Sequence, residues 1–154
     1  MKEEILNKTK KKKLIQKLGE DFGISHLNYL IIKSGKDKYR IYSGSLSKEE
    51  LNTLAKNTQI ELIGTRLGTW EKDGFRISFD SLNIPEIKNE IKKNIVEISD
   101  EKVKNWLKGE DLQVINNITP NTKFVVIKNK DDFLGLARNQ GFLKNYIPKY
   151  RRIK

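Results

Sequence analysis

An α+β fold in two parts is what this sequence predicts, and three observations predict it. Apolar residues recur at helical spacing in several segments. Short alternating runs face each other across glycine-containing turns, as the strands of hairpins do. A highly charged stretch near residue 90 separates two patterned regions. The division places an N-terminal α/β domain with antiparallel hairpins at residues 1–90. A small, mostly antiparallel β-barrel with one helix follows at residues 91–154.

The first element is a helix, with Leu14, Ile15, Leu18 and Phe22 on one face at i, i+1, i+4 and i+8. Lys8 and Lys10 to Lys13 precede that face. Such a run is either a solvated, fraying terminus or an auxiliary arm for phosphate. "NYLIIKSG" and "DKYRIYSG" then form a hairpin around Gly35-Lys36-Asp37. "LSKEELNTLAK" is a helix, because Ser47 and Glu50 make a capping box and Leu51, Leu54 and Ala55 make an apolar face. "IELIGTRLGTWEKDGFRISFDSL" is a second hairpin, turning at Glu71-Lys72-Asp73-Gly74, with Phe75, Ile77 and Phe79 alternating against Arg76 and Ser78. "IPEIKNEIKK" reads as a short helix or a linker, and the boundary is drawn there.

The second part opens on a strand, "NIVEIS". Ser99 caps the helix "DEKVKNWLKG", Val103, Trp106 and Leu107 share its inner face, and Gly109 ends it. "LQVINNI" and "KFVVIK" read as strands, "NKDD" as a turn, "FLGLAR" as a strand, and "GFLKNYIPKYRRI" as one or two more.

Composition narrows the functions. The 154 residues are 36% hydrophobic and 33% charged, with a formal net charge of +11. That balance favours a polyanionic partner, either nucleic acid or an anionic membrane surface. Lysine is plentiful and arginine scarce, a bias that an AT-rich genome or a hot-living source also produces. Without cysteine, disulfides, thiolate metal sites and cysteine nucleophiles are excluded. The N-terminus has a basic run but no apolar segment behind it, and no apolar run is long enough to span a bilayer. A soluble, cytoplasmic protein with no membrane association is therefore expected.

Catalytic chemistry finds little support. His26 is the single histidine and sits beside apolar residues in "GISHLNYL", as a surface or boundary residue would. The acidic pairs Glu3-Glu4, Glu49-Glu50 and Asp131-Asp132 lie at helix starts or in a turn, where helix dipole and solvent account for them. Gly64, Gly68 and Gly74 fit neither a phosphate loop nor a dinucleotide fingerprint. No enzyme activity, metal or cofactor is expected.

Two segments resemble known families. The strand "NIVEIS", the helix "DEKVKNWLKGEDL" and the hairpin "KFVVIKNKDDFLGLAR" resemble the PUA domain, the RNA-binding module named after pseudouridine synthases and archaeosine transglycosylases. "LIGTRLGTWEKDGFRISFDSL" is similar to the corresponding segment of the Nip-seven family of large-subunit ribosome-biogenesis factors, which carry an α/β domain before a C-terminal PUA domain. The ending "LKNYIPKYRR" is also similar to the tail of the RNA-binding domain of Sun-family rRNA cytosine methyltransferases. The resemblance implies a non-catalytic, pre-rRNA-binding biogenesis factor with ribosome-assembly protein partners, nucleolar in a eukaryote. The alternative is an accessory RNA-binding subunit of an RNA-modification enzyme such as a tRNA or rRNA methyltransferase. An adaptor whose basicity is only compositional is a third reading.

Within the second part, cations supply the candidate contacts, because phosphate neutralisation dominates affinity while aromatics stack on bases or pack in the core. After Asp132 the chain holds no acid. Arg138, Lys144, Lys149, Arg151 and Arg152 from this stretch, with Lys104 and Lys108 from the outer face of the helix, form the candidate RNA-binding set. None of the tail cations has an acidic neighbour in sequence. Phe142, Tyr146 and Tyr150 are expected in the barrel core or an interdomain contact, and Trp106 in the core.

Overall fold

The computed structural model describes residues 3–113 and 122–154. Its elements run β1 (Glu3–Ile5), α1 (Lys8–Phe22), β2 (Leu30–Ser34), β3 (Lys38–Tyr42), α2 (Lys48–Asn57), β4 (Thr65–Glu71), β5 (Gly74–Ile77) and α3 (Pro85–Glu90). These are followed by β6 (Ile95–Glu97), α4 (Asp100–Lys108), β7 (Phe124–Asn129), β8 (Asp132–Asn139) and β9 (Leu143–Asn145), then a 3-10 turn at Lys149–Arg151. The result is a mixed α+β fold with two sheets. The first has five strands in the order β1-β2-β3-β4-β5, all antiparallel. The second has four, in the order β6-β7-β8-β9.

Local chemistry explains most of these elements. In α2 the Ser47 hydroxyl accepts from the Glu50 amide at 3.2 Å, while the Glu50 carboxylate accepts from the Ser47 amide at 2.7 Å. That reciprocal bond holds the Glu50 carboxyl below its ordinary range, chiefly through the Ser47 amide. Helix α1 starts earlier than its apolar face suggests. Asn7 caps it by accepting from the Lys10 amide, and the lysine run is inside the helix. Lys10 bonds Glu4, and Lys11 donates to the Tyr29 carbonyl at 2.7 Å. The expectation of a solvated, fraying terminus is thus corrected: β1, absent from the sequence reading, supplies the acid that fixes Lys10.

The second sheet is mostly antiparallel, as expected. Strands β7, β8 and β9 pair antiparallel, and β6 runs parallel to β7. A parallel pair needs a long crossover, and α4 lies within it. Most of the expected strand "LQVINNI" lies outside the described residues. Leu112, at its start, makes an isolated antiparallel bridge to Leu143 of β9.

The two parts meet over apolar surface. One buried cluster joins Leu18, Phe22, Ile24, Phe75 and Ile87 from residues before 91 with Phe124, Val126, Phe133 and Leu136 from β7 and β8. Polar contacts accompany it. Lys92 and Lys93 amides donate to the Phe22 carbonyl at 2.8 and 3.0 Å. The Asn83 side chain donates to the Phe133 carbonyl at 2.8 Å. Glu90 accepts from the Ser25 amide and hydroxyl and from the His26 amide, which lowers its pKa, the Ser25 amide first. His26 itself is exposed at the end of that contact.

A cut at residue 91 would uncover the shared cluster. A fragment of residues 92–154 is expected to melt well below the intact chain and to bind an apolar dye, because Phe124, Val126, Phe133 and Leu136 lose their cover. Equal melting of fragment and intact chain, by circular dichroism, would contradict this.

Candidate nucleic-acid interface

The tail is positioned by one buried amide. Asn145, at the end of β9, donates through its side chain to the carbonyls of Trp106 at 2.7 Å and Glu110 at 3.1 Å, and accepts from the Ile147 amide at 2.9 Å. Its own amide donates to the Asp111 carboxylate at 2.8 Å. The Trp106 carbonyl at the helix C-terminus already accepts from the Gly109 amide at 3.0 Å, so Asn145 adds a second donor there and turns the chain at the same time. Gly109 closes α4 at φ 101, and a Cβ there would come within 2.7 Å of the Arg152 side chain. Only glycine meets both demands. Farther on, the Ile153 amide donates to the Leu107 carbonyl at 3.1 Å. The tail therefore lies against the end of α4, next to Lys108, and Lys104 sits one turn, about 6 Å, back along the helix.

This arrangement builds an open groove of about 420 Å³ between the two parts. Lys144, Lys149 and Arg152 come from the tail side, and Glu71 and Arg76 from the β4–β5 hairpin. Four cations face one carboxylate, which is already committed: Glu71 meets the Arg76 guanidinium at 2.5 Å and Arg138 at 4.0 Å. Tyr146 forms part of the wall, with Arg76 above its ring at 5.8 Å. Lys144 and Lys149 are exposed, as are Lys104 and Lys108 on α4. Arg152 is half-buried and tethered, its Nε donating to the Ile147 carbonyl at 3.1 Å.

Two candidate residues behave otherwise. Arg138 pairs with Asp73 at 2.7 Å and lies over the Phe124 ring at 6.0 Å. Arg151 pairs with Asp80 at 2.5 Å. Both acids belong to the other part of the chain, 65 and 71 residues away in sequence. The expectation that the tail cations lack partners is therefore corrected for these two, whose charge is spent in joining the parts. Tyr150 is also corrected: it is 79% exposed, not core, and Arg151 lies 5.7 Å from its ring centroid. Tyr146 does pack against the shared cluster, and Trp106 is fully buried. Arg76 and Glu71 were missed as groove residues. The outward phase of Arg76 in its alternating strand was the signal available.

Among the described residues, no group of three or more His, Cys, Asp or Glu side chains is arranged to hold a metal ion. No helix among them is long and apolar enough to cross a membrane.

Comparison with known proteins bears on the same region. No curated protein matches the chain. Residues 93–153 match the family model described as the methyltransferase RsmF PUA domain. The match spans β6 through the tail and so includes Lys104, Lys108, Lys144, Lys149 and Arg152. Residues 93–153 form a PUA-type domain of the RsmF kind, a module that suggests RNA binding.

Proposed function

We propose that this protein is a non-catalytic RNA-binding factor that docks on pre-rRNA alongside ribosome-assembly proteins, with the groove at Lys144 and Lys149 taking the phosphate backbone. The observation that carries the reading is the convergence of exposed lysines, unpaired among the described residues and drawn from two separate elements, on one groove of a PUA-type domain. Backbone contacts of this kind give affinity, and the open, one-sided shape suits an RNA single strand or loop rather than a buried small molecule. Pre-rRNA as the target rests on the resemblance of the β4–β5 segment to the Nip-seven family. A second reading has its own support: the family description names a methyltransferase, which favours an accessory module lending RNA affinity to a separate modification enzyme.

Ultraviolet crosslinking of the tagged, full-length protein, followed by sequencing of the bound RNA, tests both. Recovery of rRNA precursors, with crosslinked peptides from residues 144–152, is the expected outcome. Stable co-purification of a methyltransferase, with crosslinks at that enzyme's substrate site, would move the conclusion to the second reading. Absence of RNA crosslinks above background would overturn both.

A further inference from the structure

A second pocket lies on the other face of the β4–β5 hairpin. Trp70 and Glu71 are consecutive on β4, so their side chains point to opposite sides of the sheet. Glu71 lines the groove described above, and Trp70 lines a pocket of about 300 Å³ against α1. Leu6, Leu14 and Tyr39 complete its apolar wall, and Lys13 and Lys33 stand at its rim. The carboxylate present, Glu4, is hydrogen-bonded to Lys10 at 2.5 Å, so the rim is left cationic. Trp70 is 36% exposed even though its neighbour Phe75, at 5.9 Å between ring centroids, is fully buried.

We infer that this pocket is a second RNA contact, in which Trp70 stacks on one unpaired base while Lys13 and Lys33 meet the flanking phosphates. A part-exposed indole beside apolar walls offers a flat surface for a base of any identity, and lysines at the rim match the backbone charge. A protein segment would gain from the apolar wall but would need acidic flanks to suit the rim. RNA is favoured because the same hairpin also borders the basic groove. An RNA strand laid over the hairpin tip would run from one site toward the other. The inference rests on the RNA-binding reading.

Fluorescence separates the two. The protein has two tryptophans, and Trp106 is fully buried, so Trp70 is the indole a ligand can reach. The full-length chain is titrated with a short single-stranded oligoribonucleotide and, in parallel, with inorganic polyphosphate, a polyanion without bases. Anisotropy of labelled RNA reports binding, and tryptophan emission reports stacking. RNA is expected to quench the emission and polyphosphate to leave it unchanged. Trp70→Ala is expected to weaken RNA binding roughly tenfold and leave polyphosphate binding as it was. Should Trp70→Ala fold poorly, the double variant Lys13→Ala/Lys33→Ala is expected to make the salt slope shallower by about 1.4, from about 0.7 per phosphate contact. RNA binding with unaltered emission, and with affinity and slope unaltered in both variants, overturns the second contact and leaves the groove standing. Quenching by an acidic amphipathic peptide but not by RNA overturns it in favour of protein docking. Absence of RNA binding by the wild type overturns this inference and the RNA reading together.

Discussion

Trp106→Ala is expected to lower the stability of the chain by about 3–5 kcal/mol, the range for removing a large aromatic from a packed core. Trp106 is fully inaccessible on the inner face of α4, within a cluster that includes Val96, Ile98, Val125, Ile127 and Leu143. Its indole also donates to the Leu134 carbonyl of β8 at 2.9 Å, which ties helix to sheet. Two losses therefore add: packing around the ring, and a part-buried carbonyl left without its indole donor. Trp106→Phe isolates the second, and should cost about 1–3 kcal/mol plus the smaller volume change. Domains are stable by only about 5–15 kcal/mol in total, so the alanine variant would leave a large unfolded fraction in modest urea. Urea titration followed by far-ultraviolet circular dichroism checks both. A loss below about 1 kcal/mol for the alanine variant would show that the cluster is not packed as described. The effect should reach the groove, because Asn145 hangs from the Trp106 and Glu110 carbonyls and sets the path of the tail.

How far such features can be read from sequence depends on how far apart the interacting residues lie. Ser47 and Glu50 are three residues apart, and their capping box is present as read. Gly109 follows Lys108 at the end of α4, with the positive φ expected of such a stop. Trp106 shares a helical face with Val103, and that spacing correctly places it inside. The PUA-type resemblance also rests on contiguous segments, and the family match covers the same stretch. Strand β1 escaped because three residues are too few to show alternation, and its role depends on pairing with β2 across α1. The parallel pairing of β6 with β7 was within reach, since a strand followed by a helix and another strand is the usual crossover. The largest error concerned charge. Arg138 and Arg151 find Asp73 and Asp80 only because the hairpin and the loop after β5 fold back onto the tail. An absence of acids nearby in sequence says nothing about acids nearby in space. Tyr150 failed for a related reason. The spacing of Phe142, Tyr146 and Tyr150 suggested a common environment, but the chain leaves β9 and enters a 3-10 turn, so Tyr146 packs against the core while Tyr150 is exposed.

That sorting of the cations yields the prediction with the largest functional effect. Lys104, Lys108, Lys144 and Lys149 are exposed, and no carboxylate is paired with them among the described residues. Replacing all four with alanine should remove up to four phosphate contacts. On single-stranded RNA each contact contributes about 0.7 to the slope of log affinity against log salt. The slope should therefore become shallower by about 2.8, and affinity at about 0.1 M salt should fall by two to three decades if counterion release is the main term. Melting should change little, because exposed lysines contribute little to the fold. The reverse pattern is expected of Arg138→Ala combined with Arg151→Ala. These side chains already answer Asp73 and Asp80, so their removal should reduce stability slightly, as solvent-screened pairs do, while the salt slope stays near that of the wild type. Fluorescence anisotropy at several salt concentrations, with melting measured on the same samples, separates the two classes. If the arginine pair carried the slope and the four lysines did not, the ion pairs across the two parts would have to open on binding, and the contact surface would be the joint between them rather than the groove beside it.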